Sequence, residues 1–215
     1  DDDDPPEPPI AKRLKEALNK IRSGASGDAT VTANYTATSA TQNDAGTATL
    51  SVNDGVDVNL DAITSGDGFT IDASGNASAS TLDGTQFNDT IIGGDSGDTI
   101  TGGAGADTLQ GGSGDDTYVF ASGDVGALES IDDSHGSNVI TTAGAGASVD
   151  FSNLSDGDAG TLDQISEIVI DGGNTATFTG NQLDGVTTTV NESSDTAATT
   201  LDIDVADDAN VDLSS

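Results

Sequence analysis

The chain has no cysteine, no methionine and no tryptophan, and its only aromatic side chains are two tyrosines and five phenylalanines. Without cysteine no disulfide staples the fold, so metal rather than cross-links must stabilise a body built of small residues. With apolar residues at 33% and aromatics at 3%, a globular core of ordinary thickness is hard to build. No apolar run approaches 18 residues, and no segment reads as a membrane-spanning helix. Basic residues are nearly missing as well. Lys12, Arg13, Lys15, Lys20 and Arg22 are all there are, against 38 acids, for a net charge of −33. A body of that sign repels phosphate, so no nucleic-acid partner is expected. His135 is the single histidine. With no HExxH and no nucleophile elbow around any serine, neither zinc hydrolysis nor Ser-His-Asp chemistry finds support. Abundant carboxylates leave a glycosidase formally open, but the scarcity of aromatics argues against a sugar cleft. The chain does not read as an enzyme.

What is present is a short period. Residues 84–119 divide into four nines: GTQFNDTII, GGDSGDTIT, GGAGADTLQ and GGSGDDTYV. Position six is always an acid (Asp89, Asp98, Asp107, Asp116) and position seven always threonine (Thr90, Thr99, Thr108, Thr117). Position eight is always large and apolar (Ile91, Ile100, Leu109, Tyr118). A unit this small cannot bury its own apolar face and must stack, which is the mark of a solenoid. Paired glycines permit tight turns, and positions seven to nine form a short strand with position eight inside and the threonines outside. Acids at the ends of stacked turns repel one another. A hard cation with oxygen ligands removes that conflict, and calcium takes carboxylates together with the carbonyls that a glycine turn exposes. Low-complexity linker composition is the bland alternative, but it does not explain the invariant positions seven and eight.

The pattern G-G-x-G-x-D-x-(large apolar)-x resembles the calcium-binding nonapeptide of RTX proteins. The resemblance implies a parallel β-roll in which successive nonapeptides alternate between two sheets. Calcium then sits between turns two repeats apart, pairing 84–89 with 102–107 and 93–98 with 111–116. The calcium-holding residues it marks are Asp89, Gly93, Gly94, Asp95, Asp98, Gly102, Gly103, Gly105, Asp107, Gly111, Gly112, Gly114 and Asp116. Two departures stand out: Ser96 occupies position four of its unit, and the 84–89 turn keeps only Gly84 and Asp89. The resemblance also implies export by a type I system with an uncleaved C-terminal signal, and the acidic, weakly apolar end is compatible with one.

The rest of the chain divides around this block into an arm with a helix (1–24), a β region (25–83), the roll (84–120) and a second β region (121–215). Residues 1–9, DDDDPPEPP, read as an extended arm. Residues 10–22 read as an amphipathic helix, with Ile10, Leu14, Ala17, Leu18 and Ile21 on one face and all five basic residues on it. That helix reads as a cap on the solenoid, as a dock onto the acidic body of a neighbouring copy, as a membrane contact or as an added tag. A first residue of Asp rather than Met suggests a processed, tagged or incomplete N-terminus. Segments 29–41, 48–54 and 56–63 alternate small apolar with polar residues as strands do. Residues 68–84 and 168–185 follow one plan, matching Ile71-Asp72 with Ile170-Asp171, Asn76 with Asn174 and Leu82 with Leu183, which predicts that the solenoid continues past the roll. Asp132 and Asp133 read as a solvated loop, with an additional calcium ligand as the alternative.

The expected protein is all-β, a calcium-binding parallel β-roll or β-solenoid with flanking irregular strands and one N-terminal amphipathic helix. Disorder, the other reading of a charge of −33, is opposed by the near-continuous alternation. The functional expectation is an extracellular or cell-surface structural protein, folded by calcium outside the cell and assembling with its own copies into a layer, fibre or matrix. The other reading is an adhesin fragment or the C-terminal secretion module of a larger RTX toxin or enzyme. Cell-surface polysaccharide is a further candidate partner.

Overall fold

The computed structural model describes residues 28–204 apart from 40, 44, 45, 47, 127, 128, 134, 156–161, 163, 164, 181, 184–188 and 193–199. The helix expected over 10–22 lies outside the described residues. Among the described residues every regular element is a strand. The first ten are β1 (Ala29–Val31), β2 (Tyr35–Thr36), β3 (Thr49–Val52), β4 (Val58–Asn59), β5 (Thr70–Asp72), β6 (Thr81–Asp83), β7 (Thr90–Ile92), β8 (Thr99–Thr101), β9 (Thr108–Gln110) and β10 (Thr117–Phe120). They are followed by β11 (Ser130–Ile131), β12 (Asn138–Thr142), β13 (Ser148–Asp150), β14 (Ile165–Ile170), β15 (Thr175–Thr179), β16 (Thr189–Glu192) and β17 (Thr200–Asp204).

The chain alternates between two sheets. One has the order β1-β3-β5-β7-β9-β11 and the other β16-β14-β12-β10-β8-β6-β4-β2, and the pairings within both are parallel. This is a parallel β-solenoid, and the expected fold class is what the described residues adopt. Both sheets run through residues 84 and 120 without interruption. Past the roll, β13-β15-β17 adds a third sheet, so the coil gains a side. The coil is tightest at the nonapeptides, where Thr90 pairs with Thr108 and Thr81 with Thr99, each 18 residues on. It widens on either flank: Thr49 pairs with Thr70, Thr117 with Val139 and Asn138 with Ile165.

Position eight builds the core. Leu50, Ile71, Ile91, Leu109 and Ile131 are in register along one sheet. Val58, Leu82, Ile100, Tyr118, Ile140 and Ile168 are in register along the other. All of these are at most 1% exposed. Two facing ladders of single side chains thus form the central core of the roll, joined by Phe120 at its end, which is why so few apolar residues suffice. Each buried Leu or Ile contributes on the order of 1.5–3 kcal/mol. The threonines at position seven are half-buried at the flanks rather than fully outside. Beyond the roll the wider coil needs bulk, and Phe151 supplies it by stacking on Phe178 at 4.6 Å and meeting Phe120 edge-on at 5.3 Å.

The two matched segments share a local turn but not a place in the coil. Asn76 donates its N–H to the Ala73 carbonyl and Asn174 to that of Asp171, both at 3.0 Å, each after a positive-φ glycine (Gly75, Gly173). Their strands, however, lie in different sheets: β5 in the six-stranded one and β14 in the eight-stranded one. Leu82 sits in β6, whereas Leu183 is in a turn. The solenoid does continue past the roll, as the match predicts, but with a longer coil that shifts the turn to another corner.

Candidate metal centre

Each nonapeptide turn ends in its acid, and the register of the coil stacks those acids in two columns, one at each corner of the roll. In the first column, the N–H of Phe69 donates to Asp89 Oδ1 at 2.6 Å and that of Asp89 to Asp107 Oδ1 at 2.7 Å. The N–H of Asp107 then donates to Glu129 Oε2 at 3.0 Å. In the second, Ser80 donates to Asp98 Oδ1 and Asp98 to Asp116 Oδ1, both at 2.7 Å. The N–H of Asp116 donates to Asn138 Oδ1 at 3.0 Å. One oxygen of each acid is therefore structural: it accepts the N–H that leads into the strand one coil earlier. Turns 84–89 and 102–107 are paired in this way, and so are 93–98 and 111–116.

The second oxygen separates the turns into two kinds. Asp89 Oδ2 accepts the N–H and hydroxyl of Thr85, and Asp98 Oδ2 accepts the N–H of Gly94. Among the described residues Asp107 Oδ2 and Asp116 Oδ2 are buried and have no hydrogen-bond donor, and Glu129 Oε1 shares that condition. The backbone supplies the reason. Turns 102–107 and 111–116 carry the full G-G-x-G-x-D, and Gly103, Gly105, Gly112 and Gly114 all adopt positive φ. In the incomplete turns Gly94 stays at ordinary φ, and position four is Phe87 or Ser96. Left-handed backbone at positions two and four is a conformation that glycine adopts without steric cost. There the N–H at position two no longer bonds the acid.

Glycine at position one is needed for space. A Cβ on Gly102 would lie 2.5 Å from Asp107 Oδ2, one on Gly93 2.6 Å from Asp98 Oδ2 and one on Gly84 2.8 Å from Asp89 Oδ2. Each acid folds back over its own turn, and carbonyls of the adjoining coil close in from the other side: Gly111 O on Gly93, Gly102 O on Gly84 and Gly94 O on Gly112. Asp107 and Asp116 are fully buried. Burial, reinforced by neighbouring carboxylates, pushes Asp107 up to about 8, Asp116 to about 7 and Glu129 to about 8. Burial also raises Asp89 and Asp98 above the usual carboxylate range. Among the described residues no three Asp, Glu, His or Cys side chains form a ready-made cage. The donors gathered here are carboxylate oxygens with backbone carbonyls, a set that suits a hard cation. Orphaned buried carboxylate oxygens beside a glycine cradle fit calcium.

Of the residues marked in the sequence, Asp95 stands apart. It is exposed, and its N–H donates to the Asn76 carbonyl. Asp132 is exposed, as a solvated loop requires, but Asp133 is not: it is 7% exposed, and Oδ2 accepts Tyr118 Oη–H at 2.6 Å. The solvated-loop reading fails there because Tyr118, spaced like a plain core residue, carries a hydroxyl that reaches the turn. Glu129 and Asn138 continue the two columns yet escape the nonapeptide spacing, since 22 residues rather than 18 separate them from Asp107 and Asp116. The signal that would have found them is the run of strand residues that follows each, Ser130-Ile131 and Val139-Ile140, in register with Thr108-Leu109 and Thr117-Tyr118.

Two stacked columns of buried acids on a parallel β-solenoid mark a calcium-binding repeat protein. Residues 74–109 and 92–124 match the family model described as the RTX calcium-binding nonapeptide repeat (4 copies). The chain carries RTX repeats in this segment, and calcium is the ion they bind. No curated protein and no solved structure matches the chain.

Proposed function

We propose that the protein is an extracellular, non-enzymatic structural subunit whose body folds on calcium and which then associates with copies of itself. The observation that carries the first half is the orphaned Oδ2 of Asp107 and Asp116. Asp107 and Asp116, one in each column, would each hold an ion together with carbonyls of the glycine turns, and Asp89 and Asp98 with Gly93, Gly94, Gly102, Gly103, Gly105, Gly111, Gly112 and Gly114 would complete the coils that frame these sites. When bound, calcium supplies charge neutralisation to acids that otherwise repel. Because those acids are gathered only in the folded coil, binding is folding free energy. At low calcium a chain of net charge −33 disfavours its own compact state. That coupling suits a protein unfolded inside the cell and folded outside it. Among the described residues no helix is long and apolar enough to cross a membrane.

Support for association is the architecture. Among the described residues β1 and β2 pair with a strand on one side only, and a second copy would add to that edge by the same parallel pairing. All five basic residues fall within 12–22, and the body from residue 23 onward has none, so the basic segment of one copy is complementary to the body of the next. Such a contact is head-to-tail, and a heterologous contact that does not close gives filaments or sheets. Electron microscopy and sedimentation of the full chain in calcium, beside a chelated sample and a chain starting at Gly24, test it. Ordered polymers that dissolve on chelation and need residues 1–23 are the expected result. A strictly monomeric chain at saturating calcium would overturn assembly and favour a secretion or adhesion module.

A further inference from the structure

Past the last nonapeptide, residues 133–138 make a further turn that the repeat match, ending at 124, does not include. Its strand β12 pairs with β10, Val139 with Thr117 and Ile140 with Tyr118. The positive-φ Gly136 packs on the Gly114 carbonyl, and Asn138 takes the place that Asp116 holds one coil earlier. In this alignment Asp133 falls at position one, the place of Gly84, Gly93, Gly102 and Gly111 in the other turns. A carboxylate thus enters the one spot that the repeat keeps free of side chain.

It points at Asp116. A Cβ on Gly111 would strike Asp116 Oδ2 and would lie 2.6 Å from Asp133 Oδ2, so the two carboxylates converge over the same glycine. Asp116 is fully buried, and its Oδ2 has no donor among the described residues. Asp133, by contrast, is held firmly. Oδ2 accepts Tyr118 Oη–H at 2.6 Å and Asn138 Nδ2–H at 3.0 Å, while Oδ1 accepts the N–H of His135 at 3.2 Å. Tyr118 Oη in turn accepts the N–H of Gly111 at 2.8 Å, which ties the tyrosine to the turn it serves. Two buried carboxylates held together repel unless a proton or a cation lies with them. A cleft of about 420 Å³, lined by Gly93, Gly112, Asp132, Asp133 and His135 among others, opens the turn to solvent.

We propose that the calcium ion held by Asp116 sits at the end of the second column and takes Asp133, from outside the nonapeptides, as its second carboxylate, with Tyr118 as the residue that positions Asp133. The donors are oxygens throughout, which selects a hard cation over a transition metal. This site rests on calcium binding by the nonapeptides and is independent of assembly.

Native mass spectrometry of the full chain, equilibrated in a calcium buffer, counts the ions retained. D133N and D133G each retain one fewer than the parent chain, and D132N, an exposed acid on the same lip, retains the parent number. D133G installs the residue that the repeat itself has at position one, so it tests the site even if D133N does not fold. In a calcium titration, Y118F, which keeps the core ring and removes only the hydroxyl, weakens one ion about tenfold and leaves the others unchanged. A folded D133N or D133G with the parent number of ions, or a Y118F titration indistinguishable from the parent, overturns the proposal. A parent chain that takes up no calcium overturns the nonapeptide reading as well.

Discussion

The N–H of Asp98 donates to Asp116 Oδ1 at 2.7 Å across one 18-residue coil, and the other oxygen of Asp116 has no donor among the described residues. One oxygen of this carboxylate is thus structural, and the other is left for a ligand of opposite charge. D116N separates the two roles, because an amide oxygen keeps accepting from Asp98 while the charge is lost. The expected outcome is a metal-free form stabilised by roughly 1–3 kcal/mol, the scale of an uncompensated buried polar group. The calcium midpoint of folding should rise at least tenfold. D107N should act in the same way in the other column. Circular dichroism during calcium titration reads both effects, and an unchanged midpoint would remove Asp116 from the ion's ligands.

A pH prediction follows from the same burial. Asp107 and Glu129 are raised to about 8 and Asp116 to about 7, far above the ordinary range near 4. An acid whose folded value exceeds its unfolded value favours folding at low pH, and that advantage is lost as pH rises from the unfolded value through the folded one. The metal-free chain is therefore most stable below about pH 4 and loses stability steadily between about 4 and 8. Calcium opposes that loss and displaces protons from these acids near neutrality. Calorimetry of calcium binding in buffers of different ionisation enthalpy measures the release. A buffer-independent heat at pH 7 contradicts the prediction.

Glycine substitutions distinguish space from conformation. At Gly102 a Cβ would lie 2.5 Å from Asp107 Oδ2, whereas at Gly123, where φ is +94°, a Cβ would meet no described residue within 4 Å. G123A should cost about 1–2 kcal/mol of backbone strain with calcium affinity unchanged. G102A should cut calcium affinity as well as stability, because the carboxylate must move. Chemical denaturation with and without calcium separates the two cases: an equal loss in both conditions for G102A argues that Gly102 does not bear on the ion.

The roll was legible because its signal is period and spacing. Four in-register copies placed Ile91, Ile100, Leu109 and Tyr118 inside, the resemblance to RTX nonapeptides paired the turns 18 residues apart, and both are seen. What the spacing could not carry is the change of coil length. Once the step grows to 22, Glu129 and Asn138 no longer fall in frame, although they continue the same columns. The difference between turns was hidden for another reason. Asp89, Asp98, Asp107 and Asp116 are the same letter at the same position, but glycine at positions two and four decides whether Oδ2 is already satisfied by the backbone. The third sheet was out of reach because β13, β15 and β17 alternate like every other strand, and nothing local says which neighbours they pair with.

The aromatic stack makes the flank distinguishable from the roll. Phe151 is fully buried between Phe178, stacked at 4.6 Å, and Phe120, edge-on at 5.3 Å, and no acid of either column contributes to this contact. Phe151 lies in the widened coil, where cohesion comes from ring area rather than from an ion. F151A should cost about 3–5 kcal/mol, as large aromatic truncations in cores do. That loss should persist at saturating calcium, because the ion acts on turns 102–116 and cannot refill a cavity beside β13 and β15. The number of ions retained should stay that of the parent chain. Thermal unfolding in excess calcium, with ion counting on the same sample, checks both halves. If F151A instead loses ions along with stability, the flank and the roll fold as one cooperative unit, and calcium stabilises the whole solenoid rather than the roll alone.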